Sequence, residues 1–199
     1  KLKFRNKKNW KPKRKKKPQP TKRGAKKNKP EEDEVPSSTK TKTLLYKQDN
    51  VHDFAWFADK TFSVKTDTLQ LPSGKIIKLQ AFYYSEHQEN WSNCIAMIKR
   101  AVLTKSRWLG EYPFNVVRVV DGGNGGGMEY PIITLLDNGG SEKMLDFVIN
   151  HEVGHNWFEA ILATNERTHP WMDEGMNTYY DNRYSMQQYG NTNIDIIKT

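Results

Sequence analysis

Apolar residues are sparse over the first 40 positions and then recur with two distinct periods. The runs Leu44-Leu45-Tyr46 and Phe54-Ala55-Trp56-Phe57 predict short strands. Phe62-Ser63-Val64-Lys65-Thr66 and Lys78-Leu79-Gln80-Ala81-Phe82-Tyr83-Tyr84 predict two more, flanking the turn Leu71-Pro72-Ser73-Gly74. From about Asn90 to Leu109 the period becomes helical: Trp91, Ile95, Ile98, Val102 and Leu109 fall near one face, and Gly110 ends the element. Asn115-Val116-Val117-Arg118-Val119-Val120 is a β-branched strand pattern, and Pro131 to Leu136 resumes extended chain. Between them, Gly122 to Gly127 reads as a flexible turn that lets backbone approach another group closely. A helix is predicted from about Ser141, whose hydroxyl suits a cap and is followed by the early acid Glu142. Another is predicted from about Asp173. Strands, helix, strands, helices in that order make an α+β body.

Charge separates the chain into two parts. Residues 1–30 hold 16 Lys or Arg and no acid, while the other 16 basic residues and all 23 acids fall in 31–199, which therefore carries a formal −7. The net charge of +9 describes the tail and not the body. Lys13-Arg14-Lys15-Lys16-Lys17 among prolines cannot build a core and is expected to be extended, either as a solvated tail or as an insertion. Contact with an anionic surface is electrostatically allowed, but the scattered aromatics Phe4 and Trp10 and the absence of a binding module argue against specific nucleic-acid recognition. Cys94 is the only cysteine, which excludes an intrachain disulfide and suits a small buried filler. No apolar run reaches the ~18 residues of a membrane span. Residue 1 is not Met, so any signal peptide is expected to lie outside this sequence.

The chemistry is concentrated in His151-Glu152-Val153-Gly154-His155, with Glu174 nineteen positions after the second histidine. On a helix, positions i and i+4 lie on nearly one face, ~6 Å apart along the axis. Two imidazoles so placed can converge on one metal ion, with Glu152 beside them and Glu174 as a third ligand from the next helix. The bland alternative is a solvated helix face carrying two histidines and a glutamate. Against it, Met144-Leu145-Asp146-Phe147-Val148-Ile149 leads in, and Val153, Trp157, Phe158, Ile161 and Leu162 follow at helical spacings. Ionisable groups on so buried a helix need partners. A phosphate-loop reading of the glycine run is weak, since it lacks the G-K-[ST] ending and no helix pattern opens directly after it. His52, His87 and His169 sit at no ligand spacing and read as structural or surface groups, with His169 near enough to Trp171-Met172-Asp173-Glu174 to line a cleft.

His151 to His155 with Asn156-Trp157-Phe158, then Trp171-Met172-Asp173-Glu174-Gly175, resembles the aminopeptidase N family of gluzincin zinc metallopeptidases. Gly126-Gly127-Met128-Glu129-Tyr130-Pro131 is similar to that family's G-x-M-E-N exopeptidase motif, with Tyr130 where asparagine is usual. The likeness covers about residues 50 to 190. It implies a partial thermolysin-like catalytic domain, with a twisted sheet beside the zinc helices, over 67–199, following the end of an N-terminal β region over 41–66 and a basic tail or linker over 1–40. It also implies one Zn2+ per chain on His151, His155 and Glu174, peptide substrates, and Glu152 as the general base that moves a proton from water to the leaving amine. Glu129 would bind the substrate's free α-ammonium, with Gly127 and Met128 lining the extended peptide. Asp181, two turns after Glu174, matches the acid that supports a zinc-bound histidine, and Glu159 is a weaker candidate for that role.

The family's oxyanion-binding tyrosine is expected beyond residue 199, because Tyr179, Tyr180, Tyr184 and Tyr189 stand too near Glu174. Its flanking domains are expected to be missing or only grazed. The parent protein is thus expected to be an aminopeptidase, and this stretch alone to bind zinc weakly and turn over poorly. Two rivals stand beside it: a gluzincin endopeptidase, or related family with a similar G-G-x-E segment, and a non-catalytic binding protein that uses the basic tail. Side-chain preference, oligomeric state and compartment are not written in the residues.

Overall fold

A computed structural model describes residues 38–122, 126–137 and 140–190. Most of the basic N-terminal segment and residues 123–125 of the glycine-rich turn lie outside the described residues. The chain divides into two units, 1–45 and 46–199. In the first, the described residues 38–45 are exposed and form neither strand nor helix.

The described residues of the second unit hold four strands and three α-helices. Strand β1 (Phe62–Gln70) pairs antiparallel with β2 (Ile76–Tyr84), and the turn between them closes through the Gly74 N–H to the Leu71 carbonyl. β2 pairs parallel with β3 (Val116–Asp121), and β3 parallel with β4 (Ile133–Leu136), so the sheet order is β1-β2-β3-β4. The β-branched run predicted β3 because a central parallel strand is apolar on both faces. The alternation of β2 follows from a sheet with one buried face, Ile77, Leu79, Ala81 and Tyr83 pointing into the core.

Helix α1 (Cys94–Leu109) crosses from β2 to β3. Residues 88–93 form turns ahead of it, and Trp91 there is fully buried and stacked on Tyr83, with ring centroids 5.7 Å apart. Cys94 and the predicted face residues Ile98 and Val102 are buried, and Gly110 ends the helix with φ 110°. Helix α2 (Glu142–His155) packs between α1 and α3 (Glu174–Tyr189). Its cap is the predicted one, Ser141 Oγ accepting from the Met144 N–H at 3.2 Å. The core lies between the sheet and α1 and α2, around Leu79, Val117, Val119, Ile98, Leu145, Ile149 and Val153. Together these make a mixed α+β fold with one four-stranded sheet. No helix among the described residues is long and apolar enough to cross a membrane.

Two expectations differ. Residues 44–46 and 54–57 form no strand, and Leu44, Leu45, Tyr46, Phe54 and Trp56 are exposed: short apolar runs become strands only where an edge accepts their hydrogen bonds. After His155 the chain widens into a π-helical segment, Asn156–Ile161, which changes the angular step. Trp157 and Phe158 stay buried, but Ile161 and Leu162 turn outward, 46 % and 59 % exposed.

Candidate metal centre

The last turn of α2 places His151 and His155 at i and i+4, and the two Nε2 atoms lie 3.1 Å apart with the rings perpendicular. The first residue of α3 completes the group, Glu174 Oε2 lying 3.4 Å from His151 Nε2 and 3.8 Å from His155 Nε2. Tetrahedral zinc with ligands at ~2.0–2.2 Å requires donor atoms ~3.3–3.6 Å from one another, a spacing these three atoms nearly meet.

Each imidazole is held from behind. Asp181 Oδ2 lies 2.6 Å from His151 Nδ1, and Asp173 Oδ1 lies 2.6 Å from His155 Nδ1. A carboxylate accepting from Nδ1–H leaves the Nε2 lone pair for a metal, so both rings have the arrangement usual for histidine ligands. Asn177 adds a bond from its side-chain amide to the His151 carbonyl at 2.8 Å. The charges agree. Burial lowers the proton affinity of His151, but the hydrogen bonds to Asp181 and Glu174 outweigh it and raise the pKa to about 10. Asp181 itself is held below the usual range: burial raises it, but Lys105 and His151 more than compensate.

Glu152 is buried beside this group, and its Oε2 has no hydrogen-bond partner among the described residues. Burial pushes its carboxyl up to about 7 against the opposing pull of His151 and His155. A buried carboxylate oxygen without a partner, beside a group that could hold a metal ion, marks a candidate functional site. Gly127 passes so near that a Cβ there would meet Glu152 Oε1 at 1.8 Å. The close approach allowed by the glycine-rich turn is therefore made to the candidate base.

The rest of that turn is tied to the same helix end. Met128 and Leu135 exchange two backbone hydrogen bonds of 2.9 Å, fastening the segment to β4. Ile132, held at φ 63°, donates its N–H to Asn156 Oδ1 at 2.9 Å, one residue after His155. Left-handed backbone is uncommon for a β-branched residue, and the anchoring bond accounts for its persistence here. Glu129 then lies close to the centre, offering an oxygen in a cluster with His155 and Asp173 whose donor atoms are all within 4.8 Å. Burial, followed by a hydrogen bond with Glu166, raises its carboxyl to about 8.

The predicted residues His151, His155, Glu174, Glu152, Glu129, Gly127 and Asp181 thus converge. Glu159 pairs with neither His151 nor His155 in this way; its Oε1 lies 2.5 Å from His52 Nε2. His87 pairs with Asp121, and His169 is exposed ahead of α3. Asp173, Asn177 and Lys105 escaped the sequence reading. The signal for Lys105 was its position in the series Ile98, Ala101, Val102, Lys105, an i, i+3, i+4, i+7 stripe that is otherwise apolar.

No protein-family model and no curated protein sequence matches the chain. Among solved structures, aminopeptidase A of Legionella pneumophila, in complex with aspartic acid, superposes with a TM-score of 0.56 at 14 % identity, over 65 % of this chain and 17 % of that one. A two-domain M1 zinc metallopeptidase bound to L-arginine gives 0.49 at 20 % identity, over 64 % of this chain and 29 % of that one. The M1 zinc metallopeptidase of Deinococcus radiodurans gives 0.48 at 19 % identity, over 63 % and 29 %. The chain thus spans about a sixth of the Legionella enzyme, and what the superposition carries is the fold.

Proposed function

We propose that the chain carries the zinc centre of a metallopeptidase related to aminopeptidase N, within part of a thermolysin-like catalytic domain, and that its substrates are peptides with a free N-terminus. The observation that carries this reading is the convergence of His151 Nε2, His155 Nε2 and Glu174 Oε2 at 3.1, 3.4 and 3.8 Å, each imidazole backed by a buried carboxylate.

These three atoms would hold one zinc ion, which when bound supplies Lewis-acid polarisation of a carbonyl and a water acidic enough to ionise near neutral pH. Asp181 and Asp173 keep the protons of the two imidazoles on Nδ1. Glu152 accepts a proton from the attacking water and delivers it to the departing amine nitrogen. Burial raises its proton affinity above that of a free carboxylate, which suits a group that must both take and return a proton. Gly127, having no side chain, leaves the Glu152 carboxylate the space that a Cβ would take. Glu129 receives the substrate's α-ammonium, a cation that would restore the ionised form of a carboxyl otherwise raised by burial. That contact makes the site an exopeptidase.

The test is hydrolysis of an aminoacyl amide and of its N-acetylated counterpart, with and without zinc. The reading requires zinc-dependent cleavage of the free amine only, and loss of that cleavage in Glu152→Gln with zinc retained. Equal cleavage of the blocked substrate would remove the aminopeptidase assignment and leave an endopeptidase.

A further inference from the structure

Beneath the proposed ligands lies a cation with no part in the chemistry so far. Lys105, on α1, is the one lysine or arginine among the fully buried described residues, at 0 % exposure. An ammonium removed from water is strongly disfavoured unless its protons are taken up by good acceptors. Its Nζ donates to Asn177 Oδ1 at 3.0 Å and to Asp181 Oδ1 at 3.1 Å. Both acceptors are the groups that hold His151: Asp181 through Oδ2 on Nδ1, and Asn177 through its amide on the carbonyl. Asn150 Nδ2 adds a second donor to Asp181 Oδ1 at 2.8 Å. The helix leaves room for this arrangement, since a Cβ on Gly154 would lie 2.5 Å from Lys105 Nζ and 2.2 Å from Asn177 Oδ1. The second x of the H-E-x-x-H run, Gly154, thus leaves the space that the buried lysine and Asn177 occupy.

We propose that Lys105 is a positioning residue of the metal centre: its ammonium fixes Asp181 and Asn177 against His151, so that the ring presents Nε2 at the angle the ion requires. The inference rests on the metal-centre reading above. The competing view is a plain tie between α1 and α3. Arg100 provides the comparison, since from the same helix it donates to Asp146 Oδ1 at 2.5 Å and to the Tyr184 hydroxyl at 2.8 Å, with no bond to a proposed ligand or to its support.

The experiment measures zinc dissociation constants by chelator competition for the whole chain, alongside thermal unfolding of the metal-free form. Lys105→Met is expected to bind zinc ~10–100-fold more weakly, the loss typical of outer supports of metal ligands. Because Lys105 acts through Asp181, adding it to Asp181→Asn is expected to cost less than the product of the two separate losses. Arg100→Met is expected to unfold at lower temperature with wild-type zinc affinity. Lys105→Gln, which keeps a polar side chain but removes the charge, carries the same expectation should the methionine variant fail to fold. Wild-type zinc affinity in either lysine variant, or full multiplication with Asp181→Asn, overturns the proposal. A wild-type chain that binds no zinc would instead remove the metal-centre reading itself.

Discussion

Gly154→Ala sets two physical effects of opposite sign against each other. Gly154 lies inside α2, where alanine is favoured over glycine by ~0.8–1.0 kcal/mol. The new methyl carbon would stand 2.2 Å from Asn177 Oδ1 and 2.5 Å from Lys105 Nζ, where ordinary contact begins at 3.4 Å. Both atoms must therefore retreat by about an ångström. Neither is free to do so: Asn177 bonds the His151 carbonyl, and Lys105 is buried and bonded to Asn177 and Asp181. Overpacking of this kind costs ~1–3 kcal/mol. A buried donor that loses its partner costs a further ~1–3 kcal/mol. Packing wins, leaving a net destabilisation of ~1–5 kcal/mol, or a fall of ~2–20 °C for a domain of this size. Thermal unfolding of the metal-free chain, followed by circular dichroism in chelator, measures it. A Gly154→Ala chain that unfolds at or above the wild-type temperature would show that helix propensity dominates and that the packing beneath His151 is not as described.

Gly127→Ala is expected to behave differently, because the Cβ meets only the end of the Glu152 side chain. Stability and zinc content should hold while hydrolysis falls ~100-fold, as for a reacting group displaced by an ångström or more; unchanged hydrolysis would contradict this placement of the base. Ser141→Ala should cost ~1 kcal/mol of unfolding free energy in urea through loss of the α2 cap. Glu159 has its carboxyl raised from 4.5 to about 8 by burial, then by Glu166, Asp173 and Asp53. A group with a raised folded pKa contributes most below 4.5 and loses that contribution as pH climbs to about 8. Wild type should therefore lose stability relative to Glu159→Gln across that window, by no more than ~1.4 kcal/mol per pH unit; parallel stability–pH curves would be the contrary result.

The legible parts of the molecule were those decided by near neighbours in the chain. The α2 cap, the helical spacing of His151 and His155 and the alternation of β2 are all set within a few residues. Glu174 could be placed near the two histidines because its spacing from His155 is itself a motif, and Asp181 because it follows Glu174 by two turns. Asp173 was not: its partner is eighteen residues back, and nothing local separates a buried acceptor from an acidic helix start. Lys105 left a trace, a charge in an apolar stripe, but its partners on α3 are 72 and 76 residues away. Residues 44–46 and 54–57 had strand composition without a sheet edge to receive them, and pairing is not encoded in a run of four residues.

The central claim is that His151, His155 and Glu174 together hold one zinc ion. Metal content per chain, measured by elemental analysis after mild dialysis on wild type and Glu174→Ala, tests it most directly. The account predicts about one zinc in the wild type and almost none in the variant, since catalytic zinc sites need three protein ligands. Equal content in the two chains, or none in the wild type, would contradict it.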